Sequence, residues 1–565
     1  MEAIRRNAPC PCGSGKRFKH CCGSFPTAPT ISSNQNSDAT LWLEKEARFQ
    51  EAAEYQRRLM QGLGRPIISF ENHGIRTVIV GLEVKWSPNW KTFIDFLFDF
   101  LRSTLGEQWE RDELAKPADQ QHPLLHWRAS FQAQVQKRVA EKAASWTDLC
   151  RIDNTGFTRS YFQLAYDLYL CAHNAQIPDL LLTRLRNPKT FEGALYEAYI
   201  IGNLAKSGFK IVFEDEGDST RSHCELTATH PKTDRKFSVE AKAVASTSSR
   251  AGSSIAAPKI RGLLYKALLK QVDYERLVLI DLNRDDSSAE GDVPDWTKQV
   301  DAELIQLEDE LTIHGAPAPP AHVIVTNRGF LNALDKTQWR EIWFARGYKI
   351  PTFHSREPIS ILQLAKNRDK HIEIFWLCKA LQNHAFIPET FDAQLPEEAF
   401  NVSQTPRLMI GGRYAIQLPD GTDVEGELVE ACVVEPEKLA HCIYRLPDGQ
   451  QHHYTNTLSD DELAIYRRSP STFFGIKKHV SPTLRDELDC YDFYWESYQA
   501  ASRESLLKWM SDWPINKEFE NLSQHDLAQI YCAQCAQHLW YNVQKAKAKS
   551  ENARTCLKEG GRHAF

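Results

Sequence analysis

Long apolar runs are missing from this chain. The most hydrophobic stretch, residues 93–101, is interrupted by Asp95 and Asp99, and nothing approaches the roughly 20 apolar residues that a membrane-spanning helix needs. The opening residues, MEAIRRNAPC, lack the apolar core of a secretory signal. An excess of one charge is missing too. The 68 basic and 74 acidic residues leave a net charge of −6, so any nucleic-acid binding must come from local patches. Cysteine is too sparse for a disulfide scaffold, with fourteen in 565 residues, yet four of them fall within residues 10–22. That clustering is a metal pattern of a reducing compartment, and a cytoplasmic location is expected.

What is present is ordinary globular material. Apolar residues make up 42% and charged residues 25%, and the length exceeds a single core, predicting several domains. Residues 25–40 are rich in Pro, Ser, Thr and Asn and form a linker. A charged amphipathic helix is expected over 41–61. Two strands follow, over 66–71 and 76–85, joined at Asn72-His73-Gly74, where a tight turn is favoured. Helical spacing over 90–105 and beyond completes an α+β domain to about residue 189, with no chemistry assigned. From 190 the pattern reads helix, three strands, helix, strand, strand. Residues 351–406 connect this region to a β-rich segment, 407–475, with Leu-Pro-Asp-Gly turns at 418–421 and 446–449. Residues 476–565 are helical, with Ser523 and Asp526 capping one helix.

Cys10, Cys12, Cys21 and Cys22 are spaced C-x-C-x8-C-C, and Gly13-Ser14-Gly15 permits the reversal that brings the two pairs together. Four thiolates in this pattern suit tetrahedral zinc, and in so small a module metal binding would supply the folding energy. The stretch RNAPCPCGSGKRFKHCCG closely resembles the SEC-C motif, widespread in bacterial proteins. The resemblance implies zinc on those four cysteines and a docking role toward a protein or the ribosome rather than catalysis. Arg5, Arg6, Lys16, Arg17 and Lys19 would give that face a local positive field. Gly13-Ser14-Gly15-Lys16 is not a phosphate loop, because the preceding strand and the full spacing are absent.

The second informative stretch runs from a helix over 191–207, closed at Gly208, into strands over 209–213, 224–229 and 237–243, with a turn at 231–234. Glu225 opens the second of these strands, and Glu240-Ala241-Lys242 lies within the third. Glu240 and Lys242 share a face because side chains alternate. If the strands pair, Glu225 and Glu240 converge on one site, where two carboxylates suit a hard cation such as Mg²⁺ or Mn²⁺. Lysine can then assist the attacking water or neutralise charge on a phosphate. Helix, strand, acidic residue and E-x-K in this order resemble the PD-(D/E)XK nuclease superfamily over residues 190–330. The resemblance implies a restriction-endonuclease-like α/β core. It places Glu225 and Glu240 as metal ligands, Lys242 as the lysine, and Glu197 as the glutamate on the first helix. The first acidic position carries Glu after Cys224 instead of Asp after Pro, and Asp218 in its glycine loop is the rival. E-x-K also arises by chance on solvated strands.

A helix over 259–271 follows, its Lys259, Lys266 and Lys270 lying on one face opposite an apolar stripe, a face that could meet phosphates although such lysines usually serve solvation, and strands are expected over 276–281 and 321–326. Glu192 in the first turn of the 191–207 helix favours its dipole. Cys532, Cys535 and His538 look like a metal trio, but inside a helix cysteine packs as a small hydrophobe. His452-His453 lies beside a glycine turn with no identifiable carboxylate partner.

The expected fold class is thus multidomain α/β and α+β: a small N-terminal zinc module over 1–24, a restriction-endonuclease-like α/β core over 190–350, a small β-barrel-like domain over 407–475, and a helical C-terminus. The expected function is a Mg- or Mn-dependent nuclease acting on DNA or RNA, recruited through the zinc module, in defence or nucleic-acid processing. The competing reading is a catalytically silent nuclease-like protein that docks on a protein or ribosome partner.

Overall fold

A computed structural model describes residues 57–560, with breaks at 59, 141–151, 215–223, 245–259, 285–293, 354–357, 392–407 and 409. Further short breaks fall at 419–420 and 447–448, between 461 and 485, and between 514 and 520. The four clustered cysteines, the 25–40 linker, Asp218, Lys259 and most of the 41–61 helix lie outside the described residues. The chain divides into two compact units, Met1–Lys349 with Trp376–Lys477, and Ile350–Phe375 with Lys478–Phe565.

In the first unit, β1 (Ile68–Asn72), β2 (Ile75–Val80) and β3 (Glu83–Ser87) form an antiparallel meander. The expected turn falls at His73-Gly74, both with positive φ (50° and 73°), the requirement of a two-residue type I′ connection. The strand expected over 76–85 is two strands, because Gly81 (φ 58°) reverses the chain. A Cβ at Gly81 would meet the Ala172 carbonyl at 2.6 Å, so glycine is needed there for close approach as well as for φ.

Helices α1 (Phe93–Leu105), α2 (Glu107–Leu114), α3 (Pro123–Ala140), α4 (Gly156–Asn174), α5 (Asp179–Arg186) and α6 (Phe191–Lys206) follow. Thr92 and Asp95 form a capping box at the start of α1. The phenylalanine stripe of α1 buries Phe93, Phe96 and Phe100, which meet Tyr169 of α4 edge-on.

The main sheet contains β4 (Lys210–Phe213), β5 (Leu226–Thr229), β6 (Lys236–Ala243) and, after α7 (Ile260–Leu268), β7 (Glu275–Asp281). Then come α8 (Asp295–Glu310), the small hairpin β8 (Thr312–Ile313) and β9 (Ala316–Pro317), β10 (Ala321–Arg328) and β11 (Glu341–Tyr348). Its order is β11-β10-β7-β6-β5-β4. Strands β4, β5 and β6 are an antiparallel meander, β6, β7 and β10 are parallel, and β11 returns antiparallel.

Alternation assigns the two faces of this sheet. Val278, Ile280, Val323 and Val325 pack with Ile260, Leu264 and Leu268 of α7 and with Val300 and Leu304 of α8. The opposite face is covered by α6: the Thr326 hydroxyl donates to the Tyr196 phenol (3.0 Å). On that face Asp281, fully buried, pairs with Arg328 at 2.8 Å.

Past α9 (Ile361–Lys370) and α10 (Ile372–Asn383), the first unit ends in β12 (Arg413–Gln417), β13 (Asp423–Val434), β14 (Leu439–Arg445) and β15 (Gln451–Thr457). These form a four-stranded antiparallel meander in chain order. At the expected turns the amides of Gly421 and Gly449 (φ 86° and 87°) donate to the Leu418 and Leu446 carbonyls, each at 2.9 Å. A bulge at Leu428/Glu430 bends β13 over a core of Leu428, Ala440, Cys442 and Tyr444.

The second unit is helical: α9, α11 (Glu487–Tyr498), α12 (Arg503–Trp509) and α13 (Gln524–Gly560). Its core joins Ala365, Cys490, Tyr491, Cys532 and Ala536. Ser523 caps α13, its hydroxyl accepting from the Asp526 amide at 3.1 Å. No described helix is long and apolar enough to cross a membrane.

Candidate functional site: a carboxylate–lysine cluster

The β5–β6 hairpin creates the site. Its turn is held by the His230 amide donating to the Arg235 carbonyl (3.0 Å) and the Asp234 amide to the His230 carbonyl (2.8 Å), with Asp234 in the left-handed region (φ 56°). Aspartate tolerates that conformation better than most residues. The ladder runs from Thr229↔Lys236 to Leu226↔Val239. Just beyond it, the Glu225 amide donates to the Val239 carbonyl at 3.1 Å.

Glu225 and Glu240 then face the same two lysines. Lys242 pairs with Glu240 Oε1 and lies 3.6 Å from Glu225 Oε1. Lys270 Nζ is 2.9 Å from Glu240 Oε2 and 3.9 Å from Glu225 Oε1. The Glu240 side chain is only 4% exposed, while Glu225 and the two lysines are 16–22% exposed. One carboxylate therefore forms the floor, and three charged groups form a rim open to solvent. Burial pushes the Glu240 pKa up, and the Glu225 charge adds to this, while Lys242 and Lys270 oppose it. Lys242 and Lys270, one at each oxygen, are the groups that offset its desolvation.

The parallel register places the cluster on one face. Glu240 lies beside Val278 and Lys242 beside Ile280, residues that pack under α7 and α8. Glu197 belongs to α6, which covers the opposite face. It pairs with Arg184 of α5 at 2.5 Å. The structure thus brings Glu225, Glu240 and Lys242 together and leaves Glu197 across the sheet. Cys224, whose thiol is pushed up by burial and then by Glu214, flanks the cluster. Among the described residues, no three His, Cys, Asp or Glu side chains gather as a cation site. The two carboxylates fit a hard oxygen-seeking ion chemically, but in this state lysines hold both.

Lys270 is the member that sequence reasoning missed. Periodicity places it on a helix over 259–271, on a lysine face open to solvation or to phosphates, and gives no sign that it pairs with Glu225 and Glu240. The helix stops at Leu268, and Lys270 lies beyond it, where the Arg276 guanidinium donates to its carbonyl at 3.3 Å. No signal in the sequence marks that stop. Elsewhere, burial pushes the Cys532 thiol up to about 12, which suits packing and disfavours the thiolate a metal needs. His453 meets His441, Nε2 to Nδ1 at 3.0 Å, with the rings stacked.

A family model described as the SEC-C motif matches residues 6–24. The uncharacterized protein YccF of Bacillus subtilis (strain 168) is 71% identical over 24 residues, which is 4% of this chain. The chain spans only 7% of the length of that relative. No solved structure matches the chain. At its N-terminus the chain carries a SEC-C motif, a zinc-binding type of motif.

Proposed function

We propose that the chain is a metal-dependent nuclease, hydrolysing phosphodiester bonds of DNA or RNA, recruited through its SEC-C module. The observation that carries this reading is the joining of Glu240 and Lys242 of β6 with Glu225, the residue just before β5, on one face of a mixed sheet with helices on both faces. Glu225 and Glu240 would hold Mg²⁺ or Mn²⁺, which when bound would polarise a phosphoryl oxygen and acidify water. Lys242 would stand beside the attacking water and the charge that grows on the phosphate. Its place two residues along the strand from Glu240 fixes that proximity without a flexible loop. Cys10, Cys12, Cys21 and Cys22 would hold zinc and dock the enzyme on a protein or ribosome partner, in a cytoplasmic setting. A role in defence or nucleic-acid processing rests on analogy with the resembled families alone.

The test is cleavage of labelled single- and double-stranded DNA and RNA by the full chain in Mg²⁺, Mn²⁺ or EDTA. Metal-dependent cleavage is expected, with loss of at least about a hundredfold in a Glu240→Ala, Lys242→Ala double variant. Intact cleavage in that variant would remove the assignment. A second reading, a silent nuclease-like docking protein, is favoured by the two lysines that pair with both oxygens of Glu240 and flank Glu225. Absence of cleavage on every substrate would support it.

A further inference from the structure

We infer that Lys270 is a tethered counter-cation that competes with a divalent metal ion for Glu225 and Glu240, an inference that rests on the metal-site reading above. Two carboxylates and two ammonium groups make the cluster neutral as it stands. Each oxygen of Glu240 is taken, Oε1 by Lys242 and Oε2 by Lys270. A divalent ion added to all four groups would leave two net positive charges in a half-buried place, where repulsion is weakly screened.

One ammonium must therefore withdraw, and the geometry points to Lys270. Lys242 stands inside β6, two residues from Glu240 on the same face, so its backbone cannot leave without breaking the ladder to β7. Lys270 lies past the end of α7, and its Nζ is placed by four rotatable side-chain bonds. Lys242, rooted two residues from Glu240 on the same strand face, stays beside the carboxylates in any rotamer, whereas the Lys270 ammonium, rooted outside the sheet, can turn from Glu240 to an anionic oxygen on the rim. A phosphodiester arriving beside the carboxylates supplies such an oxygen. Metal and phosphate then bind together more readily than either alone, because each relieves the charge the other brings. Lys270 is accordingly a positioning residue: it sets when the ion enters.

The experiment is calorimetric titration of the full-length, zinc-loaded protein with Mn²⁺ alone, for wild type, Lys270→Met, Lys270→Arg and Glu240→Gln, each checked for an intact melting transition. A hard ion such as Mn²⁺ does not seek the thiolate set of the zinc module. Lys270→Met is expected to bind Mn²⁺ roughly tenfold tighter or more, Lys270→Arg to stay near wild type, and Glu240→Gln to lose binding. Equal or weaker binding in Lys270→Met, with binding still lost in Glu240→Gln, would overturn the role of Lys270 and leave the metal site standing. No Mn²⁺ binding in any protein would overturn the metal-site reading and this inference with it.

Discussion

Lys206 ends α6 with its ammonium almost fully buried, donating to the carbonyls of Asn383 (2.8 Å) and Phe386 (3.2 Å). Burial, helped by the Arg159 charge, lowers its pKa to about 7, whereas an unfolded lysine holds its proton to about 10.4. Between those values the unfolded chain binds more protons, so this group makes stability rise with pH. Its contribution is full above the unfolded value and is lost as pH falls through about 7. Melting of wild type and Lys206→Met is therefore expected to diverge from pH 7 to 9.5. Wild type should gain on the variant by up to about 1.4 kcal/mol per pH unit. A constant difference would mean that the lysine stays charged throughout. At this scale the sequence was partly legible. Alternation puts Glu240 and Lys242 on one face and the hairpin adds Glu225, because a strand period and a turn are local. Lys270 and the Lys206 environment depend on where distant segments end, which no local pattern records.

Helix α6 carries two glycines with opposite surroundings. At Gly193 an added Cβ meets nothing within 4 Å, whereas at Gly202 it would lie 2.5 Å from Asp167 Oδ1 and 3.2 Å from the Asp167 Cα of α4. Gly193→Ala is expected to stabilise the protein by about 0.5–1 kcal/mol through helix propensity. Gly202→Ala should destabilise it by about 1–3 kcal/mol, because α4 and α6 must separate and Asp167 must leave the His384 ring it meets at 2.6 Å. Denaturant midpoints of the two variants check both signs, and equal shifts would refute the close-crossing explanation. Elements were the most legible level. The helix over 191–207 and the strands over 209–213 and 237–243 appear within a residue or two of their expected bounds. The strand over 76–85 was not legible as two, since Gly81 in an apolar run reads as continuous until Ala172 is packed against it. The β-rich segment and its two glycine turns were legible, but its form, a four-stranded meander where a small barrel was expected, depends on long-range curvature that turns do not encode.

At the scale of the molecule, the chain divides into two compact units and carries a zinc-binding type of motif at residues 6–24. If the four cysteines bind as proposed, the purified chain carries about one zinc. A Cys10→Ser, Cys12→Ser variant should lose it while the melting transition of the rest is unchanged, because the module supplies its own folding energy. Metal analysis with a parallel melt checks this, and full zinc retention would point to other ligands. The compact units divide at Lys349 and Lys477. The return of residues 350–375 to the helical C-terminal unit was not foreseen, since Ala365 shares its core with Cys490 and Cys532, far along the chain.

In the main sheet, spatial order equals chain order, from β4 at one edge to β11 at the other. Each strand is therefore laid against a neighbour already made, and the sheet can grow from one side as the chain is synthesised. The meander bearing Glu225, Glu240 and Lys242 ends at Ala243, before Lys270 has been added. A hairpin folded before Lys270 docks would hold two carboxylates against one ammonium, a net negative site that the next crossover then neutralises.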